Sequence, residues 1–127
     1  MRELGSLTEQ SHMDIARQAA KVFDRVYLVG PAMKTFALPV FEEASVPVEW
    51  FVSAEAAGRY IQQELTKGDL LLVKGSQNTL LLEIAVEQLM SPLENADALL
   101  CRRGTYWDKQ RSKLKTVIDP QSIQQLT

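Results

Sequence analysis

Two loops contain residues of the kinds that bind anions. The first is Lys74-Gly75-Ser76, which lies between an apolar run at 70–73 and a predicted helix over about 78–90. The Ser76 hydroxyl and the free amides of a helix N-terminus can bind a carboxylate or phosphate, and Lys74 adds positive charge. The alternative interpretation is structural: Ser76 caps the helix, Gly75 forms the turn, and Lys74 is solvated at the end of a strand.

The second loop, residues 30–35, superficially matches a phosphate-binding loop because Lys34 and Thr35 follow a predicted strand. It lacks the glycine directly before the lysine, which such loops use to bring backbone amides close to the phosphates. The simpler interpretation is a turn that ends the strand, with Lys34 solvated on a helix. Nucleotide binding here is therefore a subordinate hypothesis.

Residues suited to metal or covalent catalysis are scarce. His12 and Cys101 are the only histidine and the only cysteine, so they cannot build a Cys/His metal cluster, and no Cys–His or Ser–His pair stands out. Glu83 and Glu87 lie four residues apart, a spacing that indicates a solvated helix face rather than an acid/base pair. We therefore predict no catalytic residue and no metal site in this chain.

Composition restricts the class of protein further. The 127 residues fit one domain, and 46% apolar and 24% charged residues are typical of a globular chain. With 14 Lys and Arg against 16 Asp and Glu, the net charge is −2, so we expect neither nucleic acid nor an anionic membrane as a partner. Arg102 and Arg103 beside Tyr106 and Trp107 form too small a basic aromatic patch to change this, and we expect Trp107 to pack on the domain.

A reducing compartment is indicated by the single cysteine. The first five residues lack the apolar core of a signal peptide, and no run approaches the roughly 18 apolar residues of a membrane span. We therefore expect a cytoplasmic protein.

Helical and strand patterns alternate along the chain, which favours a parallel sheet covered by crossover helices. Pro39 should kink or divide the second helix, and Ser53 should cap the third. The predicted helices span about 6–22, 32–44, 54–65 and 78–90, and the predicted strands 26–29, 46–52, 70–73 and 98–101. Residues 105–127 are polar and weakly patterned, so we predict a partly disordered tail.

A longer pattern joins several of these segments. Gly68-Asp69, four apolar residues, Lys74-Gly75-Ser76, five further residues and Leu82-Glu83 follow one another in fixed order. With residues 1–5, His12 and residues 26–30, this pattern resembles the C-terminal domain of the Mur ligases. It is most similar to the subfamily that adds D-alanyl-D-alanine to UDP-N-acetylmuramoyl tripeptide. The resemblance covers residues 1–90, with a weaker continuation at Leu99-Leu100, Arg102 and Trp107.

The resemblance implies a three-layer Rossmann-like fold, a mostly parallel sheet with helices on both faces. Residues 1–104 would form this Mur-ligase-like α/β domain and 105–127 its tail. The family's first strand and helix have no counterpart, so we expect a sheet incomplete at its N-terminal edge. An unpaired strand edge invites self-association. The chain would then be a fragment of a longer ligase, lacking its N-terminal and central domains, or a reduced relative.

The resemblance also implies a function. Mur ligases use ATP and Mg²⁺ to form an acyl phosphate on the nucleotide-sugar peptide, which the incoming amino group attacks while the C-terminal domain closes over the site. Lys74, Gly75 and Ser76 would help to hold the D-alanyl-D-alanine carboxylate. His12 would contact the central domain or substrate; alternatively, it is a partly exposed helix residue.

The glycine-rich loop ending in Gly-Lys-Thr or Gly-Lys-Ser is absent from the sequence. ATP and Mg²⁺ are therefore expected in the complete ligase rather than in this chain. The alternative function is a stand-alone, non-enzymatic anion-binding or interaction module of Mur ligase ancestry.

Overall fold

The fold comes from a computed structural model that describes residues 4–75, 80–91 and 95–117. Six α-helices and two β-strands form within these ranges. A 3₁₀ turn at Gly5–Leu7 precedes the first helix, and a π-helical segment at Met33–Ala37 precedes the second. The elements are α1 (Thr8–Ala19), β1 (Val26–Val29), α2 (Leu38–Glu43), β2 (Val48–Phe51), α3 (Ala54–Glu64), α4 (Glu83–Leu89), α5 (Ala96–Leu99) and α6 (Thr105–Val117).

The two strands form a parallel sheet, as the alternating pattern predicts. Val26 pairs with Val48, and the register continues to Val29 and Phe51. The Phe51 carbonyl accepts a 3.0 Å hydrogen bond from the Gly30 amide just beyond β1. The chain is therefore confirmed as α/β, with a small two-stranded parallel sheet.

The two faces of the sheet contact different helices. Leu28 packs with Ala16 of α1 and with Ala37 and Phe41 in a buried cluster on one face. On the other face, the ring of Phe51 lies 5.2 Å from that of Tyr60 in α3. This follows from alternation along a strand, which directs successive side chains to opposite faces.

The second predicted helix changes from the π-helical to the α-helical form just before Pro39, without a break in the chain of helical residues. The π-helical segment ends at Ala37, and Pro39 lies in the first turn of α2, where a missing amide donor is tolerated. The predicted cap of the third helix is confirmed, because the Ser53 hydroxyl accepts a 3.1 Å hydrogen bond from the Ala56 amide.

The predicted strand at 70–73 does not form, and residues 69–75 have no regular structure. Leu70 is 99% exposed and Leu72 is 67% exposed. The apolar run predicts a buried strand, but a strand also needs a neighbouring backbone to pair with. In the described residues this segment has none of the ladder pairing that joins β1 and β2.

Two predictions for the C-terminal part are also wrong. Residues 98–101 form no strand, because the Asn95 side chain accepts hydrogen bonds from the amides of Asp97 and Ala98 and thereby caps α5. The fourth helix begins at Glu83 rather than near residue 78. Residues 105–117 are helical, and residues 118–127 lie outside the described ranges, so the partly disordered tail stays a prediction.

Candidate functional site

A cavity of about 360 Å³ lies between the 73–75 segment, α4 and the chain that follows α5. Its walls combine apolar side chains with polar groups, among them one carboxylate, one guanidinium and one thiol. The lining residues are Val73, Gly75, Leu82, Glu83, Val86, Leu99, Leu100, Cys101 and Arg102. Small-molecule sites span roughly 300–1,000 Å³, so this cavity lies at the lower end of that range.

The polar centre of the cavity is an ion pair between Glu83 and Arg102. Arg102 Nη1 donates to Glu83 Oε2 at 3.0 Å, and the two side chains are 21% and 6% exposed, respectively. The other carboxylate oxygen, Oε1, is buried without a hydrogen-bond partner among the described residues. A buried carboxylate is stable when it is paired and hydrogen-bonded, and the contact with Arg102 meets this requirement for one of the two Glu83 oxygens.

Arg102 is held by its neighbours on several sides. Its backbone has a φ of 57°, in the left-handed region that non-glycine residues rarely adopt. Its guanidinium donates to the Cys101 sulfur at 3.4 Å and lies 5.8 Å from the ring centroid of Trp107. Arg111 Nη2 donates a hydrogen bond to the Arg102 backbone carbonyl at 3.1 Å. The expected packing of Trp107 on the domain is thus observed, and α6 fixes the position of Arg102.

A second set of ion pairs ties α4 to α5 and α6. Arg103 Nη1 lies 3.1 Å from Glu87 Oε2, and its Nε lies 3.6 Å from Asp97 Oδ1. Arg111 Nη1 lies 3.8 Å from the same Glu87 oxygen. These contacts lie outside the cavity lining, so their effect is to position α4, which carries Glu83.

The predicted anion-binding loop meets this cavity at Gly75. A Cβ built on Gly75 would lie 2.6 Å from Leu82 Cδ1, so the backbone is in close contact with the residue before Glu83. Lys74 is exposed beside it, and Ser76 lies outside the described residues. The helix expected to begin near residue 78 begins only at Glu83, so its N-terminus does not directly follow this loop in the sequence.

His12 lies elsewhere, in the layer formed by α1 and the π-helical segment. It is 1% exposed, which corrects the interpretation as a partly exposed helix residue. Nδ1 donates to the Thr8 carbonyl at 2.6 Å, and the ring centroid lies 6.0 Å from that of Phe36. Nε2 is buried without a partner among the described residues. The predicted interdomain or substrate contact stays a prediction.

The polar groups of the 30–35 loop contact Trp50 and the backbone of the loop itself. Trp50 Nε1 donates to the Gly30 carbonyl at 2.8 Å, and Lys34 Nζ lies 4.3 Å from the Trp50 ring centroid. The Thr35 hydroxyl donates to the Pro31 carbonyl at 3.1 Å. These contacts are typical of a turn that ends a strand, and they leave neither Lys34 nor Thr35 in the arrangement of a phosphate-binding loop.

Sequence reasoning missed Glu83 and Arg102 as site residues. The interpretation of Glu83 as part of a solvated face is wrong, since Glu83 is buried, whereas Glu87 is exposed. The available signal was the position of Glu83 at the end of the recognised pattern. Arg102 lies 19 residues further along the chain, and no periodic pattern pairs residues at that distance.

The described residues contain neither a metal-binding cluster nor a membrane-spanning helix. Within the described ranges, no group of three or more His, Cys, Asp or Glu residues could hold a metal ion. No helix in those ranges combines the length and apolar character needed to cross a bilayer. Comparisons with protein families, with curated proteins and with solved structures find no match for this chain.

Proposed function

We propose that this chain is the dipeptide-binding C-terminal domain of an ATP-dependent ligase of the Mur type. Its ligand would be D-alanyl-D-alanine, which the complete enzyme joins to UDP-N-acetylmuramoyl tripeptide. The observation that carries the proposal is that Gly75 and Leu82-Glu83, two separated parts of the recognised pattern, line one cavity. That shared position supports a common role in binding.

The chemistry of the cavity suits a small dipeptide. Apolar side chains of Val73, Leu82 and Val86 offer contacts for methyl groups. Lys74 is exposed next to Gly75, where its ammonium group can attract a carboxylate. The side chains on opposite faces of the sheet contact different helices, which supports the three-layer Rossmann-like arrangement as part of the same proposal.

ATP and Mg²⁺ do not fit the described residues of this chain. The 30–35 loop is engaged with Trp50 and with its own backbone, and no acidic cluster suited to a metal is found in the described ranges. Catalysis of phosphoryl transfer consists mainly of positioning phosphates and Mg²⁺. The proposal therefore assigns acyl-phosphate formation to other domains and only ligand binding to this one.

The test is an NMR titration of the ¹⁵N-labelled chain with D-alanyl-D-alanine, with L-alanyl-L-alanine as the matched control. We expect the amide signals of Gly75, Glu83 and Arg102 to shift with the D,D-dipeptide and much less with the L,L form. The amide of Lys34 should not move. Equal responses to the two dipeptides, or shifts confined to the 30–35 loop, would argue against a D-alanyl-D-alanine domain.

A non-enzymatic interaction module is the second candidate, and one observation favours it. Leu70 and Leu72 are exposed in a segment without regular structure, and such side chains can pack against a partner chain. A titration without any dipeptide response, together with concentration-dependent association, would favour this candidate.

A further inference from the structure

We propose that Arg102 binds the carboxylate of the ligand, so that the cavity selects small molecules with a free carboxyl group. The inference rests on the proposed function for the identity of the ligand, D-alanyl-D-alanine. The role of Arg102 itself depends on the cavity and on the contacts of the guanidinium, and the resemblance assigns it no role.

The open edge of the guanidinium is the first argument. Arginine carries five N–H donors on three nitrogens. The two side-chain hydrogen bonds of Arg102 to described residues, one to Glu83 and one to Cys101, both use Nη1. Nε and Nη2 have no such partner among the described residues, and neither is one of the buried atoms that lack a partner. Arg102 lines the cavity with 21% of its side chain exposed, so this edge is accessible to a ligand.

The shape and fixed position of this edge are the second argument. Nε and Nη2 lie side by side, and their parallel N–H bonds match the two oxygens of one carboxylate. Glu83 holds Nη1 at 3.0 Å, and the Trp107 ring centroid lies 5.8 Å from the guanidinium carbon. Arg111 holds the Arg102 carbonyl at 3.1 Å. A donor that is already positioned loses little freedom on binding, so Glu83 acts as a positioning residue for Arg102.

Charge balance is the third argument. Glu83 and Arg102 cancel each other in the cavity lining. Lys74 is exposed and lies between Val73 and Gly75, which both line the cavity, so it adds one positive charge at the rim. A single bound carboxylate therefore makes the assembled site neutral, which limits the cost of removing these charges from water. Lys74 supplies attraction, and Arg102 supplies directed hydrogen bonds.

Binding through the carboxylate is compatible with the reaction of the complete ligase. The amino group of the dipeptide must be unprotonated and unpaired to attack the acyl phosphate. It lies at the opposite end of the dipeptide from the carboxylate, so Arg102 leaves it uncovered. The domain would thus hold one end of the dipeptide and present the other to the domains that form the acyl phosphate.

The experiment is isothermal titration calorimetry of the full chain with D-alanyl-D-alanine, with its C-terminal amide and with its N-acetyl derivative. We expect amidation to weaken binding about ten- to a hundredfold, the equivalent of one charged hydrogen bond, and acetylation to change it little. Arg102→Lys keeps the charge but lacks the paired donors, so it should remove most of the preference for the free carboxylate. Arg59→Lys is the control, because Arg59 also pairs with a glutamate but lies outside the cavity.

A second measurement does not depend on the stability of a variant. In ¹⁵N spectra of the unmodified chain, the side-chain Nε–H signal of Arg102 should shift on addition of D-alanyl-D-alanine. It should not shift with the amide at the same concentration. A signal that responds equally to both ligands would overturn the proposed role.

The outcomes separate this inference from the proposed function. Equal affinity for the dipeptide and its amide overturns the role of Arg102 and leaves dipeptide binding intact. A carboxylate preference that Lys74→Ala removes and Arg102→Lys retains places the carboxylate on Lys74 and also overturns it. Equal binding of the D,D and L,L dipeptides, with the preference lost in Arg102→Lys, supports Arg102 and overturns D-alanyl-D-alanine as the ligand. If no probe binds, both fail.

Discussion

At the scale of single residues, Arg102 combines a strained backbone with a buried ion pair. Its φ lies in the left-handed region, and its guanidinium contacts Glu83, Cys101 and the Trp107 ring. Such a conformation costs a non-glycine residue about 1–2 kcal/mol, so the surrounding contacts must offset that cost. Arg102 therefore links the stability of the domain to the shape of its site.

Replacing Arg102 tests this link. Arg102→Ala should lower the free energy of unfolding by roughly 3 kcal/mol, because it leaves the Glu83 carboxylate buried without a partner. Arg102→Gly should lower it by about 1 kcal/mol less, since glycine adopts the same φ without strain. Urea unfolding monitored by circular dichroism measures both. Equal losses in the two variants would show that the backbone is not strained at this position.

Lys74 offers the opposite case, a residue expected to matter for binding alone. Lys74→Ala should change the free energy of unfolding by less than about 0.5 kcal/mol because the side chain is exposed. Affinity for D-alanyl-D-alanine should fall only about two- to fivefold, since an exposed ion pair is weakened by water. Lys67→Ala, at another exposed lysine, is the control for calorimetry. An equal loss of affinity in both variants would indicate nonspecific charge attraction.

At the scale of elements, the position of α4 depends on its close contact with α3. A Cβ on Gly58 would lie 2.8 Å from the Ala85 Cα and 2.8 Å from the Gln88 Oε1, so the two helices approach through this glycine. Gln62 Nε2 also donates to the Gln88 carbonyl at 2.8 Å. Because α4 carries Glu83, the α3–α4 contact helps to define the cavity.

Gly58→Ala should therefore separate the two helices. Overpacking costs about 1–3 kcal/mol, and the better helix propensity of alanine returns up to about 1 kcal/mol, so a net loss near 1 kcal/mol is expected. Dipeptide affinity should also fall, because Glu83 moves with α4. Gln63→Ala, at an exposed site on α3, should leave the stability and the dipeptide affinity unchanged or slightly improved. Thermal unfolding measures the change in stability, and calorimetry measures the change in affinity. A Gly58→Ala variant more stable than the unmodified chain would contradict the close contact between the helices.

Local signals account for the elements that the sequence predicts correctly. The β1 and β2 runs and the Ser53 cap each depend on a few neighbouring residues. Residues 70–73 have the right composition for a strand, but composition does not specify a pairing partner. The same distinction applies to the candidate site. Gly75 belongs to a continuous sequence pattern and could be predicted from it, whereas the Glu83–Arg102 ion pair joins residues that are distant in sequence and could not.

At the scale of the whole molecule, the exposed apolar segment and the small sheet favour association. Leu70 is almost fully exposed, and among the described residues the sheet has two strands whose outer edges pair with no further strand. A contact between molecules through this segment would bury apolar surface at about 25 cal/mol per Å². Self-association stays a prediction that depends on solution measurements.

Leu70→Lys and Leu72→Lys should reduce this association. Both side chains are exposed, so a charge there should repel a second copy without lowering the melting temperature. Val22→Lys, which replaces another exposed apolar residue outside this segment, is the control. Sedimentation velocity over a concentration series should show dimers or larger species for the unmodified chain and for Val22→Lys only. A monomeric unmodified chain at high concentration would refute the prediction.

Cys101 carries the single thiol of this chain and is therefore its one natural site for labelling with thiol reagents. Cys101 is exposed and lies at the cavity wall beside Arg102, and no other cysteine competes for a reagent. An environment-sensitive fluorophore attached there would report occupancy of the cavity through its emission, with no engineered attachment site. Ligand screening could then begin with the unmodified sequence, and libraries of small zwitterions could be read by fluorescence in parallel.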